Sequence, residues 1–443
     1  MKKILIQILF AIFLAALAAC GGAGGGTPSA DIPAPVSHLS ASSPDSNGLV
    51  RITAEAGFTD GGSTVIISNP NAVSRTLWDF LIRSAYAHAT HTISSNADGS
   101  FQEEIEGAIG DVLTITYTVD GVEETTDSTV PANTPPLPTT SDIQDVSIDP
   151  NTGVALIVAN NGVDGFVHVV DLSDMSYEST IDLPGASGAS RIATDPTTGE
   201  TIVLDTENIT AIHLTLDGGG SVVSVTDIVS SSDLTAGPSG DYVLISHTDP
   251  TPALSFFDLT SDSATAVGDS EAEDGTDQES ALFVAGDSDG TNDMAAVVSL
   301  MTDSSYLLTT HDIDDGVPSI VQDGALPLDI GSPGGLFVFS AGTEALLTDS
   351  DGDQVLRILL ADGSATTIVV GDNPRGVVVD ETALTAACVN NADRSVSTIS
   401  LSDNTVTATT EVGLSPTEIA VGDVAGTPTI IVINTGDETV TIL

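Results

Sequence analysis

Two short acidic stretches carry the residues best suited to holding a cation. Asp349-Ser350-Asp351-Gly352-Asp353 and Asp287-Ser288-Asp289-Gly290 set carboxylates at alternate positions, the hard oxygen donors that Ca2+ takes in flexible loops. Neither runs on to the closing glutamate of a twelve-residue EF-hand loop. Asp349, Asp351, Asp353, Asp287 and Asp289 are therefore candidate metal ligands, and Ca2+ is the one cofactor they suggest. A second group could hydrogen-bond a ligand. Asn160, Asn390 and Asn434 recur at matching places in a repeat described below, as do Arg191 and Arg375 near the start of another repeated run. The two guanidinium groups either face an anionic ligand or pair with nearby acids, and in so acidic a chain pairing is the simpler expectation. Asn and Asp are also what tight turns demand.

Signals for catalysis are thin. No Cys/His metal set exists, and no histidine recurs beside a carboxylate at matching repeat positions. His88 and His91 stand three apart without an identifiable third ligand, so surface histidines are the plainer reading. Cys388 lies in the apolar run Ala386-Ala387-Cys388-Val389 and reads as a buried, inert thiol. No catalytic residue is assigned.

Composition narrows the partners. The 443 residues hold 9 Lys+Arg against 63 Asp+Glu, a formal net charge of −54. Nucleic-acid binding needs cations to neutralise phosphates, so that class is excluded. Only 16% of residues are charged and 41% are hydrophobic, which is a foldable chain rather than a solvated acidic tail. With 4% aromatics and one Trp, stacking platforms for sugars are not expected. An Asp-rich, Lys-poor surface also suits salty media, where ions screen the self-repulsion.

Both lysines, Lys2 and Lys3, precede an apolar run from Ile4 to Ala16 that ends in Leu17-Ala18-Ala19-Cys20. The run is short for a membrane span and finishes on small residues, as a cleaved secretory signal does. Leu-Ala-Ala-Cys resembles the bacterial lipobox. That resemblance implies a signal peptide over 1–19, acylation of Cys20 with palmitate-type chains and, with Gly21 following, the outer membrane of a Gram-negative envelope. Two or three chains make a stable anchor where one is marginal. Residues 20–35, rich in Gly, Ala and Pro, then form a flexible tether. A lipidated Cys20 leaves Cys388 no disulfide partner.

Residues 36–131 read as a small β-sandwich. Strand-like runs Leu49–Ala56, Ser63–Ser68, Phe101–Glu106, Asp111–Val119 and Val122–Thr126 are separated by turn residues such as Asn96-Ala97-Asp98-Gly99 and Asp120-Gly121. Asn96-Ala97-Asp98-Gly99-Ser100-Phe101 with Gly110-Asp111-Val112-Leu113 resembles bacterial immunoglobulin-like, carboxypeptidase-regulatory-like domains. The segment Asn71–His91, with Trp78, Arg75, Arg83 and partly helical spacing, departs from that pattern and reads as an insertion helix or, alternatively, as a partner- or membrane-facing patch. Pro131, Pro135, Pro136 and Pro138 mark a semi-rigid linker over 132–141.

From Asp142 the chain repeats. Seven units begin near Asp142, Ala189, Ser232, Ser280, Ser332, Asn373 and Ser415, about 43 residues each, which matches the ~40–45 residues of a four-stranded propeller blade. Strands such as Ala155-Leu156-Ile157-Val158-Ala159 and Ile430-Ile431-Val432-Ile433 are continuous apolar runs, as sheets buried on both faces require. The last unit has only three strands before Leu443, so its outer strand is expected from just upstream of Asp142, closing the ring. The expected fold class is all-β: a seven-bladed β-propeller over 142–443 with an N-terminal, Ig-like β-sandwich.

Val158-Ala159-Asn160-Asn161, Gly371-Asp372-Asn373-Pro374-Arg375-Gly376, Val389-Asn390-Asn391 and Ile433-Asn434-Thr435-Gly436 resemble the YVTN-type propellers, a superfamily that includes lactonase-like proteins. The resemblance implies the fold and leaves function open. The expectation is a lipid-anchored envelope protein whose propeller loop face binds a protein or small-molecule ligand without catalysis. The alternatives are a metal-dependent lactonase-like hydrolase and a Ca2+-stabilised adhesin-like surface protein.

Overall fold

The computed structural model describes residues 39–443 apart from 46, 71–89, 139–141, 216–220, 228–230, 238–241, 248–253, 260, 268–277, 289–292, 302, 315–316, 320–325, 329 and 425. Cys20, the tether, His88 and the proposed insertion helix therefore lie outside the described residues. Every regular element among the described residues is a strand, so the chain is all-β, as its composition of Val, Ile and Thr runs bounded by Gly, Asn and Asp turns favours.

The N-terminal module is a sandwich of two antiparallel sheets. One holds Leu39–Ala41, Leu49–Ala54 and Phe101–Glu106; the other holds Thr90–Ser94, Thr64–Ser68, Val112–Val119 and Val122–Thr129. Alternation sets the register. Val50, Ile52, Ile105, Val65, Ile67, Leu113 and Ile115 point inward from the two sheets and are fully buried in one cluster, each contributing ~1.5–3 kcal/mol of hydrophobic stabilisation.

Seven further sheets follow. Their innermost strands are Asp142–Asp149, Ala189–Thr194, Ser231–Ala236, Gln278–Ser288, Pro333–Phe339, Pro374–Asp380 and Pro416–Val424. Each packs on the next, and Pro416–Val424 packs on Asp142–Asp149, which closes a seven-bladed ring. One apolar cluster fills each interface between blades. In blade one, Leu156 and Val158 pack toward blade two while Ala155, Ile157 and Ala159 pack toward blade seven. A strand buried on both faces has no polar side to show, which is why its sequence lacks alternation.

Blade four is the irregular one. Its inner strand is the longest, and its outer position is shared by Val317–Ser319 and Leu326–Leu328, both paired with Tyr306–Asp314. Blade seven has three strands of its own. Upstream chain completes it: Leu137 N–H donates to Glu438 O, Val440 N–H to Pro135 O and Ile442 N–H to Asn133 O, and Pro136 bridges Thr439. The proline-rich stretch is thus not a free linker. It supplies the outer edge of the last blade and removes an open sheet edge.

The sandwich sits on this seam. Arg51, on the strand Leu49–Ala54, is buried, and its guanidinium donates to Leu137 O at 2.8 Å and Glu438 O at 3.3 Å. Ser40 Oγ donates to Asp437 of blade seven, and Thr134 N–H donates to Ser43 Oγ at 2.7 Å.

Candidate functional site

Each of the seven innermost strands loses register with its neighbour near its start. A bulge there turns the chain and re-aims one side chain. The residue after it is Asp145 in blade one, Arg191 in blade two, Asp233 in blade three, Phe283 in blade four and Glu418 in blade seven. In blades five and six the break spans Gly334-Gly335 and Arg375-Gly376. The ring therefore has a charged sector, blades seven, one, two and three, and a glycine and apolar sector opposite.

Asp145, Arg191, Asp233, Phe283, Gly335, Gly376 and Glu418 line a cavity of about 610 Å³ on the propeller axis, bounded by all seven inner strands. Arg191 lies at its centre of charge: Nε is 3.5 Å from Asp233 Oδ1 and Nη1 is 3.8 Å from Glu418 Oε1. Asp145 accepts the backbone N–H groups of Val146 at 2.7 Å and Ile192 at 3.0 Å, and Asp233 accepts that of Val284 at 3.1 Å. Glu418 accepts no hydrogen bond from the described residues. Glycine at 376 leaves it room, since a Cβ there would stand 3.3 Å from Glu418 Oε2 and 2.9 Å from Ile419 Cγ2.

Burial dominates the electrostatics. It pushes Glu418 up to about 8, helped by the like charges of Asp145 and Asp233 and opposed by Arg191 and Arg375. Burial likewise raises Asp233 to about 6 and raises Asp145, against the attraction of Arg191. For Arg191 burial alone would favour the neutral form, but Glu418, Asp145 and Asp233 outweigh it and hold the guanidinium charged. Burial thus favours the protonated form of Glu418, beside a guanidinium that stays charged.

The other residues singled out from the sequence lie elsewhere. Arg375 attracts Glu418 but is not among the residues lining the cavity, so the matching places of Arg191 and Arg375 do not give matching side-chain positions. Asn160, Asn390 and Asn434 end the second strands of their blades and turn inward. Asn160 Nδ2 donates to Ala189 O; Asn390 accepts Gly371 N–H and donates to Ser395 and Ser397; Asn434 donates to Thr439 and Thr441. Asn390 and Asn434 are fully buried, which corrects the expectation that they present hydrogen bonds to a ligand. Asn390 ties its blade to its own third strand and to the incoming loop, and Asn434 ties its blade to its own third strand.

The candidate metal ligands diverge in the same way. Asp349 accepts the N–H groups of Gly331 and Ser332 and the Gln354 amide, whereas Asp353 accepts that of Asn373 in the next blade junction. Asp351 is exposed. Asp287 accepts Gly342 N–H from blade five, and Asp289 lies outside the described residues. No three His, Cys, Asp or Glu among the described residues converge as a metal set. Gly286-Asp287-Ser288-Asp289-Gly290 spells a Gly-x-Ser-x-Gly pattern, but Gly286–Ser288 end a strand in an antiparallel hairpin, not the strand-to-helix turn a nucleophile elbow needs. Cys388 is buried, and burial raises its thiol well above the usual range. His91 pairs with Glu103 at 2.8 Å.

Sequence reading missed Asp145, Asp233 and Glu418. A signal existed: Asp145-Val146, Arg191-Ile192, Asp233-Leu234 and Glu418-Ile419 are charge-then-aliphatic pairs at one register of the repeat.

No protein-family model matches this sequence, and no curated protein does. Among solved structures the chain is similar to Kuenenia stuttgartiensis hydrazine synthase, with a TM-score of 0.57 and 12% identity over 69% of this chain and 96% of that one. At that identity the likeness is one of fold.

Proposed function

We propose that this protein is a lipid-anchored envelope scaffold that binds a ligand through its propeller and performs no catalysis. The observation that carries the reading is how the polar groups are used. Asn and Asp side chains at the blade junctions make internal hydrogen bonds, while the axial cavity is left with a carboxyl group that accepts none from the described residues. Among the described residues, neither His nor Cys lines that cavity. The anchor rests on the lipobox-like Leu17-Ala18-Ala19-Cys20. No helix among the described residues is long and apolar enough to cross a membrane. An immunoglobulin-like identity for the sandwich and a YVTN-type identity for the propeller belong to the same reading.

A second reading draws on Glu418. A carboxyl raised to about 8 beside Asp233 at about 6 is the kind of separation that general-acid hydrolases use. One experiment addresses both. The full chain is expressed in a Gram-negative host fed an alkyne-bearing palmitate analogue, then purified and tested on lactones and esters with chelator or Ca2+. Label that disappears in Cys20→Ala, with no turnover above buffer, is the expected result. Turnover abolished by Glu418→Gln would replace the scaffold with the hydrolase.

A further inference from the structure

We propose that the axial cavity binds an organic ammonium ion, a primary or methylated amine on a short apolar body. The inference rests on the scaffold reading and adds the ligand class. The cavity volume of about 610 Å³ falls within the ~300–1,000 Å³ of small-molecule sites. Its charged sector sets three carboxyl groups, Asp145, Asp233 and Glu418, against the single guanidinium of Arg191. The two ion pairs that Arg191 makes, at 3.5 and 3.8 Å, are too long to be hydrogen bonds. Glu418 thus lines the cavity with no hydrogen-bond partner among the described residues, its ion pair there being the long contact to Arg191.

A second, independent feature points the same way. Phe283 and Phe337, from blades four and five, line the wall across the ring from the carboxylates in a chain with 4% aromatics. Carboxylates on one side and aromatic rings on the other are the chemistry that selects ammonium over a bare metal ion, because the ring face attracts the cation and the apolar body displaces water. The groups facing Glu418 are Asp145, Asp233, Arg191 and Arg375. An arriving ammonium competes with the proton that burial favours on Glu418, so binding releases protons.

The test is calorimetry on the full chain in detergent with cadaverine as probe, in buffers of differing ionisation heat and with ionic strength fixed by NaCl. One saturable site is expected, with proton release at pH 7 and affinity rising up to about tenfold per pH unit below 8. Glu418→Gln should weaken binding at least tenfold, at about the strength of a lost charged hydrogen bond, and remove the proton release. Arg191→Gln should tighten binding by removing the resident cation. Phe283→Leu, which leaves every charge in place, should weaken it. No saturable heat, equal affinity in Glu418→Gln, or reproduction of the signal by NaCl alone would each overturn the site. A missing cadaverine signal leaves the scaffold standing, whereas hydrolytic turnover would remove the scaffold with the cation heats untouched.

Discussion

Arg51 holds the sandwich to the seam of the propeller, and replacing it with Met isolates that contribution. Met keeps the apolar stem and loses both donated hydrogen bonds, at 2.8 Å to Leu137 O and 3.3 Å to Glu438 O. A hydrogen bond from a charged donor contributes about 1.5–3 kcal/mol. The shorter bond should carry most of that, and relief of the guanidinium's burial, which lowers its basicity, offsets a part. A net loss of about 2 kcal/mol follows for the seam. Hydrogen exchange at Leu137, Val440 and Ile442, whose N–H groups close the ring, reads the loss directly. Seam opening should speed about 30-fold if it occurs as a local event, while exchange in the inner strand Pro374–Asp380 stays unchanged. Unaltered exchange at Val440 and Ile442 would show that the seam stands without the sandwich and would refute the reasoning.

Three further outcomes are expected. Asn390→Ala strips three hydrogen bonds from a fully buried site and should cost about 2–4 kcal/mol in urea unfolding, whereas Thr405→Ala on the wholly exposed strand Thr405–Glu411 should stay within about 0.5 kcal/mol. Glu418 and Asp233 have folded values raised to about 8 and 6, so the fold binds their protons more tightly than the unfolded chain and stability falls as pH rises from about 4.5 to 8; melting curves at pH 6.5 and 8.5 should show that fall, and Glu418→Gln should flatten it. His168 and His311, depressed to about 4 by burial, act in the opposite sense. Each withdraws stability as pH drops from about 6.5 to 4, against the gain from the two carboxyl groups, so the melting temperature should change less between pH 6.5 and 4.5 than between 8.5 and 6.5.

Much of the ring is legible in the sequence because each blade repeats one physical problem. An apolar run must be buried on both faces and then turned, and Asn, Asp and Gly do the turning. The starts read at Ala189, Ser232, Asn373 and Ser415 lie within one residue of the observed inner strands. Chain just upstream of Asp142 does edge the last blade, at 133–137, though by one bridge and three backbone hydrogen bonds and not as a regular strand. The cavity was less legible. Asp145 and Glu418 come from opposite ends of the propeller sequence and meet only because the ring closes, and a bulge, which leaves no unique sequence mark, decides which neighbour faces the axis. Arg51 is illegible for a related reason. In Leu49-Val50-Arg51-Ile52-Thr53 it alternates with core residues and so should face water, but the outward face of that strand is covered by residues 86 and 387 positions further along the chain.

The seam has a consequence in time rather than in space. The bond from Asn133 to Ile442 joins residues 309 apart, so the last blade cannot form until nearly the whole chain exists. Contacts of such separation are the slowest to make. Until then blade seven has an open edge and blade one an uncovered face, with Leu137, Ile143 and Ile157 exposed among them. The newly made chain therefore passes through a stage in which six junctions can zip while the seventh waits. Partial products ending before Thr439 should be the forms most prone to edge-to-edge association.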